Sequence, residues 1–163
     1  MNLTDNNISQ IISNYGNHFR VDEVGESRHN LNKEAVEMLC HWRAWHKFPI
    51  FISSAWRSEG AHKEGAFDVF LFNDWQVTQP EPMHLWRIAT TFPFLGVGIY
   101  FDTHAFDEQA IMLHVDIAEQ RDRPLRWIRA RGNYYYQNVK TGNFWNKDLK
   151  EATTLANEIN MYK

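Results

Sequence analysis

The sequence predicts an α+β fold with a mainly antiparallel sheet flanked by helices. Three observations lead there. Segments with helical spacing of apolar residues bracket short runs with strand character, in the order helix, strand, strand, helix, hairpin. No internal repeat, low-complexity tract or Pro/Gly-rich linker interrupts them. A chain of 163 residues is long enough for one real core, so residues 1–163 read as a single domain with a motif-bearing core over about 31–130.

Taken in order, a short helix is expected over Ile8 to Tyr15, followed by a polar stretch to about Asn30. Leu31 to His46 is the stronger helix, because Ala35, Met38, Leu39, Trp42 and Trp45 recur at helical spacing and Asn30 or Asn32 can cap it. Pro49 ends that pattern, and Ile50-Phe51-Ile52 reads as a buried strand leading into Ser53-Ser54. Gly60 and Gly65 bracket a loop, and the strand Ala66 to Phe72 then places Ala66, Asp68 and Phe70 on one face. Asn73-Asp74 marks a turn, and Pro80 and Pro82 suit the entry of a helix to about Phe92 that buries Leu85, Ile88, Ala89 and Phe92. Gly96 to Phe101 and Ile111 to Ile117 are further strands, with Asp102 to Ala110 as a hairpin loop. Arg126 to Ala130 reads as a strand or a turn of helix, Tyr134-Tyr135-Tyr136 as an edge strand, and Lys147 to Tyr162 as a closing helix.

Composition excludes several functions. The net charge of -3 and the lack of a basic run argue against a nucleic-acid partner. The lone Cys40 excludes an internal disulfide and a cysteine zinc site, and its apolar helical setting makes it a small core residue. The N-terminus has no signal-peptide pattern, and no segment approaches the ~20 apolar residues of a membrane span, so cytoplasmic synthesis without a leader is expected. Aromatic residues make up 15%, a high share, with most rings expected in buried packing and some lining a groove. The basic aromatic run Trp127 to Tyr136, with Arg126, Arg129 and Arg131, reads mainly as core packing with solvated Arg, the alternative being a basic aromatic groove edge.

Chemistry concentrates in two stretches. Ser54-Ala55-Trp56-Arg57 precedes His62-Lys63-Glu64-Gly65-Ala66-Phe67-Asp68, and Leu113-His114-Val115-Asp116 follows about fifty residues later. His62, Asp68 and His114 form the mixed nitrogen and oxygen set that a catalytic zinc ion uses when a fourth position is left for water. Asp68 lies between Phe67 and Val69, where an unpaired carboxylate is costly to bury. A metal ion supplies the missing charge; a metal-free alternative is an ion pair with Arg57.

These residues, with Gly96-Val97-Gly98-Ile99-Tyr100, resemble the zinc D-Ala-D-Ala carboxypeptidases of the M15 peptidase family, in the hedgehog/DD-peptidase superfamily. The resemblance covers roughly Leu31 to Trp127. It implies the hedgehog/DD-peptidase-like fold, Zn2+ on His62, Asp68 and His114, and Arg57 holding a substrate carboxylate or carbonyl with Ser54 beside it. Asp116 would orient a ligand imidazole. The implied activity is hydrolysis of short peptides of bacterial peptidoglycan, as by a carboxypeptidase or a phage endolysin released by lysis. Its partner would be a stem peptide or D-amino-acid peptide.

The chain departs from the family pattern twice. The step from His62 to Asp68 is six residues, one shorter than the family spacing, so the intervening loop must absorb the difference. The acidic residue that many relatives place three before the last His is Ile111 here. Glu108, six residues upstream, fits the hedgehog branch as catalytic base, with Asp107, Asp102 and His104 as nearby substitutes. Without a base, the alternative is a catalytically weak or inactive metal- or peptidoglycan-binding domain of the same fold.

Overall fold

The computed structural model describes residues 3–71, 82–105, 108–118, 124–137 and 144–146. The first helix, α1 (Asp5–Asn14), starts earlier than its apolar residues suggest because Thr4 and Asn7 form a reciprocal cap. Ile8, Ile11 and Ile12 share its buried face. In α2 (Lys33–His46) the capping residue is Asn32, whose Oδ1 accepts from the Glu34 N–H at 2.8 Å. Ala35, Val36, Leu39, Cys40 and Trp42 are buried there, but Trp45, expected on the same face, is exposed. Three residues past Trp42 it has rotated about 60° off the buried stripe.

The strand β1 (Phe51–Ser54) runs into a single helical turn, α3 (Ala61–Glu64), where a loop was expected, and then into β2 (Ala66–Leu71). Helix α4 (Pro82–Thr91) buries Leu85, Trp86 and Ala89. β3 (Gly96–Ala105) and β4 (Glu108–Asp116) form a hairpin longer than its sequence pattern suggests. The ladder continues through Thr103 with Ala110, His104 with Gln109 and Ala105 with Glu108. Pairing there uses backbone groups, which side-chain polarity does not report. Leu125–Ala130 is a strand, β5, and β6 (Asn133–Gln137) returns through Arg131 and Gly132. Both turn residues have positive φ, as a two-residue hairpin with strand-matching twist requires. A short β7 (Phe144–Asn146), not foreseen in the sequence, completes the edge. The expected turn at Asn73-Asp74 and the expected helix Lys147 to Tyr162 lie outside the described residues.

The sheet order is β1-β2-β4-β3-β5-β6-β7, antiparallel throughout except for the parallel β3–β5 pair. This establishes the α+β architecture with a mainly antiparallel sheet. Period-two alternation divides the sheet into two faces. Phe67, Val69, Val97, Ile99, Leu113, Val115 and Ile128 are buried on one face and join the apolar faces of the helices in one core. Asp68, His114, Gly98 and Trp127 align across neighbouring strands on the other.

Arg126 is buried on the core side. Its guanidinium donates to the carbonyls of Phe94, Leu95 and Leu125 at 3.0, 3.3 and 3.1 Å. This differs from the solvated Arg expected from sequence, because three carbonyl acceptors lie within reach of its fork.

Candidate metal centre

Three elements bring the expected ligands together. His62 comes from α3, Asp68 from β2 and His114 from β4, where Asp68 and His114 are direct cross-strand partners. One ligand atom from each lies within 4.8 Å of the others, and all three residues are buried. The helical turn and the start of β2 span the six-residue step from His62 to Asp68. The turn is bounded by Gly60 at φ +61° and Gly65 at φ +130°, conformations that favour glycine. A Cβ on Gly65 would lie 2.8 Å from that of Ala35, so α2 and the turn pack at glycine distance.

Each imidazole has one nitrogen toward Asp68 and the other held elsewhere. His62 Nε2 lies 3.2 Å from Asp68 Oδ2, and its Nδ1 contacts the Ala55 carbonyl. His114 Nδ1 lies 2.8 Å from Asp68 Oδ1, and its Nε2 lies 2.9 Å from Asp116 Oδ2. Asp116 is itself fixed by the Ala118 N–H, which donates to Oδ1 at 3.1 Å. Holding the distal nitrogen of an imidazole fixes its tautomer and ring plane, the arrangement that metal-binding histidines need.

Charge follows from these contacts. Burial opposes ionisation of Asp68, but hydrogen bonds from His114 and His62 outweigh it and hold the carboxyl well below the usual range. Burial alone would also keep His114 neutral, yet Asp116 and Asp68 raise its pKa above the ordinary value. Asp68 is therefore a buried anion flanked by two imidazoles. Arg57 Nη2 lies 2.7 Å from Asp68 Oδ2 and 2.5 Å from His62 Nε2, while most of its side chain reaches solvent.

Two glycines make room for the constellation. A Cβ on Gly96 would fall 1.9 Å from Asp116 Oδ2, and one on Gly98 2.1 Å from Trp127 Cε2. The carboxylate and the indole therefore lie against bare backbone of β3. Trp127 sits 5.3 Å from the His114 ring and donates from Nε1 to the Tyr100 hydroxyl at 3.1 Å. Burial pushes the Tyr100 phenol up, so it stays a neutral hydrogen-bonding wall of the site.

The cluster opens into a cleft of about 800 Å³, the size of a small-ligand site. Its walls include Arg57, Ser58, Glu59, Tyr100 and Met112. Ser54 is Asp68's partner in the β1–β2 ladder, and Ser58 contributes to the wall instead. Glu108 opens β4 opposite Ala105, six residues before His114, or about 20 Å of extended strand. Asp107 lies outside the described residues, and Asp102 accepts from the Gly132 N–H at 2.6 Å. Tyr100 and Met112 were missed from sequence although strand parity signals them: Met112 is two residues from His114 and pairs with Tyr100. Glu59 and Ser58 lie on an irregular segment with no periodicity to follow. No family model, curated protein or solved structure matches the chain significantly, so the residues and their geometry alone carry its functional assignment.

Proposed function

We propose that this chain is a zinc-dependent peptidase acting on short peptides of bacterial peptidoglycan, as a carboxypeptidase or an endolysin-like enzyme. The observation that carries the proposal is the convergence of His62, Asp68 and His114 at a cleft, with ligand atoms within 4.8 Å of one another. The donor set fits zinc better than a hard cation, which would ask for more oxygen ligands. The hydrogen bonds to Ala55 and Asp116 leave one nitrogen of each imidazole to face Asp68. When bound, zinc supplies Lewis acidity and lowers the pKa of its water to about 7.

The chain's own residues do the rest. Asp116 holds the His114 ring in place, and Trp127 backs it with an apolar surface. Arg57 stands at the cleft with a planar fork of donors suited to the terminal carboxylate of a peptide. Metal analysis of protein purified without chelator tests this directly. About one zinc per chain is expected, lost in His62→Ala. No zinc in the wild type, with His62→Ala equally stable, rejects the proposal.

The Arg57–Asp68 pair at 2.7 Å favours a second assignment, a metal-free ionic cluster at the same point. The two separate in Arg57→Gln. If Arg57 is the sole countercharge, the melting temperature falls equally with and without zinc. If the site holds zinc, adding the metal restores it.

A further inference from the structure

Hydrolysis of an amide needs a group that takes a proton from water and returns it to the leaving amine. The carboxylates around the cleft differ in their freedom to do so. Both oxygens of Asp68 are engaged by imidazoles and Arg57. Asp116 is 1% exposed, with one oxygen on His114 and the other accepting from Ala118. Glu108 begins at the far end of β4. Glu59 differs from all of these. It lines the cleft together with His62, Asp68 and His114, it is exposed, and among the described residues no hydrogen bond or ion pair ties it down. Gly60 follows at φ +61° and ψ −155°, a conformation essentially confined to glycine, and turns the chain from Glu59 directly into the helical turn that carries His62.

We infer that Glu59 is the proton-transferring carboxylate of this site, an assignment that rests on the peptidase function proposed above. As the water oxygen bonds to the amide carbonyl carbon, its proton passes to the ionised Glu59 carboxylate. When the C–N bond breaks, Glu59 gives that proton to the departing nitrogen. The products are a peptide ending in a carboxylic acid, which passes its remaining proton to the amine or to solvent, and the released amine, and Glu59 is ionised again. The role that related patterns give to a residue on the last ligand strand, here Ile111, is thus supplied from the segment preceding the first ligand.

The test compares wild type, Glu59→Gln, Glu59→Asp and Glu108→Gln in zinc content, affinity for a synthetic stem peptide by calorimetry, and turnover of that peptide. Glu59→Gln is expected to keep its zinc and its peptide affinity while kcat falls by about 10²–10⁴-fold. Glu59→Asp, which keeps the carboxylate, is expected to retain an intermediate rate. Wild-type turnover in Glu59→Gln overturns the assignment, as does loss of zinc or peptide affinity, which would mark a structural role. Turnover abolished instead in Glu108→Gln gives the role to that residue. A wild type that binds zinc and peptide but cleaves nothing overturns the peptidase proposal and this assignment together. Active wild type with equally active Glu59→Gln overturns only the assignment.

Discussion

Gly98→Ala is the sharpest probe of how the centre is built. The added Cβ would lie 2.1, 2.3 and 2.5 Å from Cε2, Nε1 and Cζ2 of Trp127. Carbon atoms in contact prefer about 3.5–4.0 Å, so the indole must withdraw by about 1.5 Å. It is a rigid plane, and withdrawal breaks the 3.1 Å bond to Tyr100 and its packing on His114. Overpacking of this kind costs about 1–3 kcal/mol, and a ring that cannot flex belongs at the upper end. Replacing a strand glycine returns about 0.5–1 kcal/mol of backbone entropy, leaving a net loss of about 2 kcal/mol. For a chain of this size that lowers Tm by about 4–8 °C.

A double-mutant cycle with Trp127→Ala, read by urea unfolding, isolates the cause. With the indole removed, Gly98→Ala should become neutral or slightly stabilising, giving a coupling energy of about 3 kcal/mol. Additivity within about 0.5 kcal/mol would refute the packing argument.

Three further outcomes are expected. Asp116→Asn should weaken zinc binding by about 10–100-fold in competition with a chromophoric chelator, because the single amide oxygen cannot accept from both His114 and Ala118 and the charge is lost; unchanged affinity would remove Asp116 from the centre. Burial pushes the His46 imidazole down to about 3, against about 6.5 in an unfolded chain, so the folded state binds fewer protons between those values. His46 therefore contributes stability above about pH 6.5 that is lost as pH falls toward 3, at up to about 1.4 kcal/mol per pH unit; His46→Gln should flatten urea-derived stability over that range, and an unaltered slope contradicts it. Burial also pushes the Cys40 thiol up to about 12, so a thiol reagent should label it only across the unfolding transition. Rapid labelling of the native protein would show that α2 opens locally.

Much of the fold was legible because apolar spacing is a local signal. Ile8, Ile11 and Ile12 announce α1, and Val97, Ile99, Leu113 and Val115 announce the buried face of the hairpin. The length of that hairpin was not legible, since the pairing of Thr103, His104 and Ala105 with Ala110, Gln109 and Glu108 is a matter of backbone groups that residue type does not report. At the centre, His62, Asp68 and His114 could be picked out by residue type and setting, and strand parity placed Asp116 on the His114 face. The helical turn at Ala61–Glu64 was hidden because four residues are too few to show a period, and it decides how the step from His62 to Asp68 closes. The cleft walls at Ser58 and Glu59 depend on the path of a loop, and Arg126 on three carbonyls from separate segments; neither leaves a pattern in sequence.

The buried Arg126 has a consequence for which strand alignment is stable. The parallel β3–β5 pair brings together strands that no tight hairpin joins, so turn geometry does not set its alignment. Arg126 pairs with Val97, and its fork closes on carbonyls just before β3 begins. Sliding β5 along β3 would strand an ionised group away from water with its acceptors misplaced, a penalty of several kcal/mol. Arg126 thus ties the stability of the sheet to one strand alignment: a shifted β5 leaves the fork without its carbonyls, and the native pairing is also the one that sets Trp127 over Gly98 beside His114.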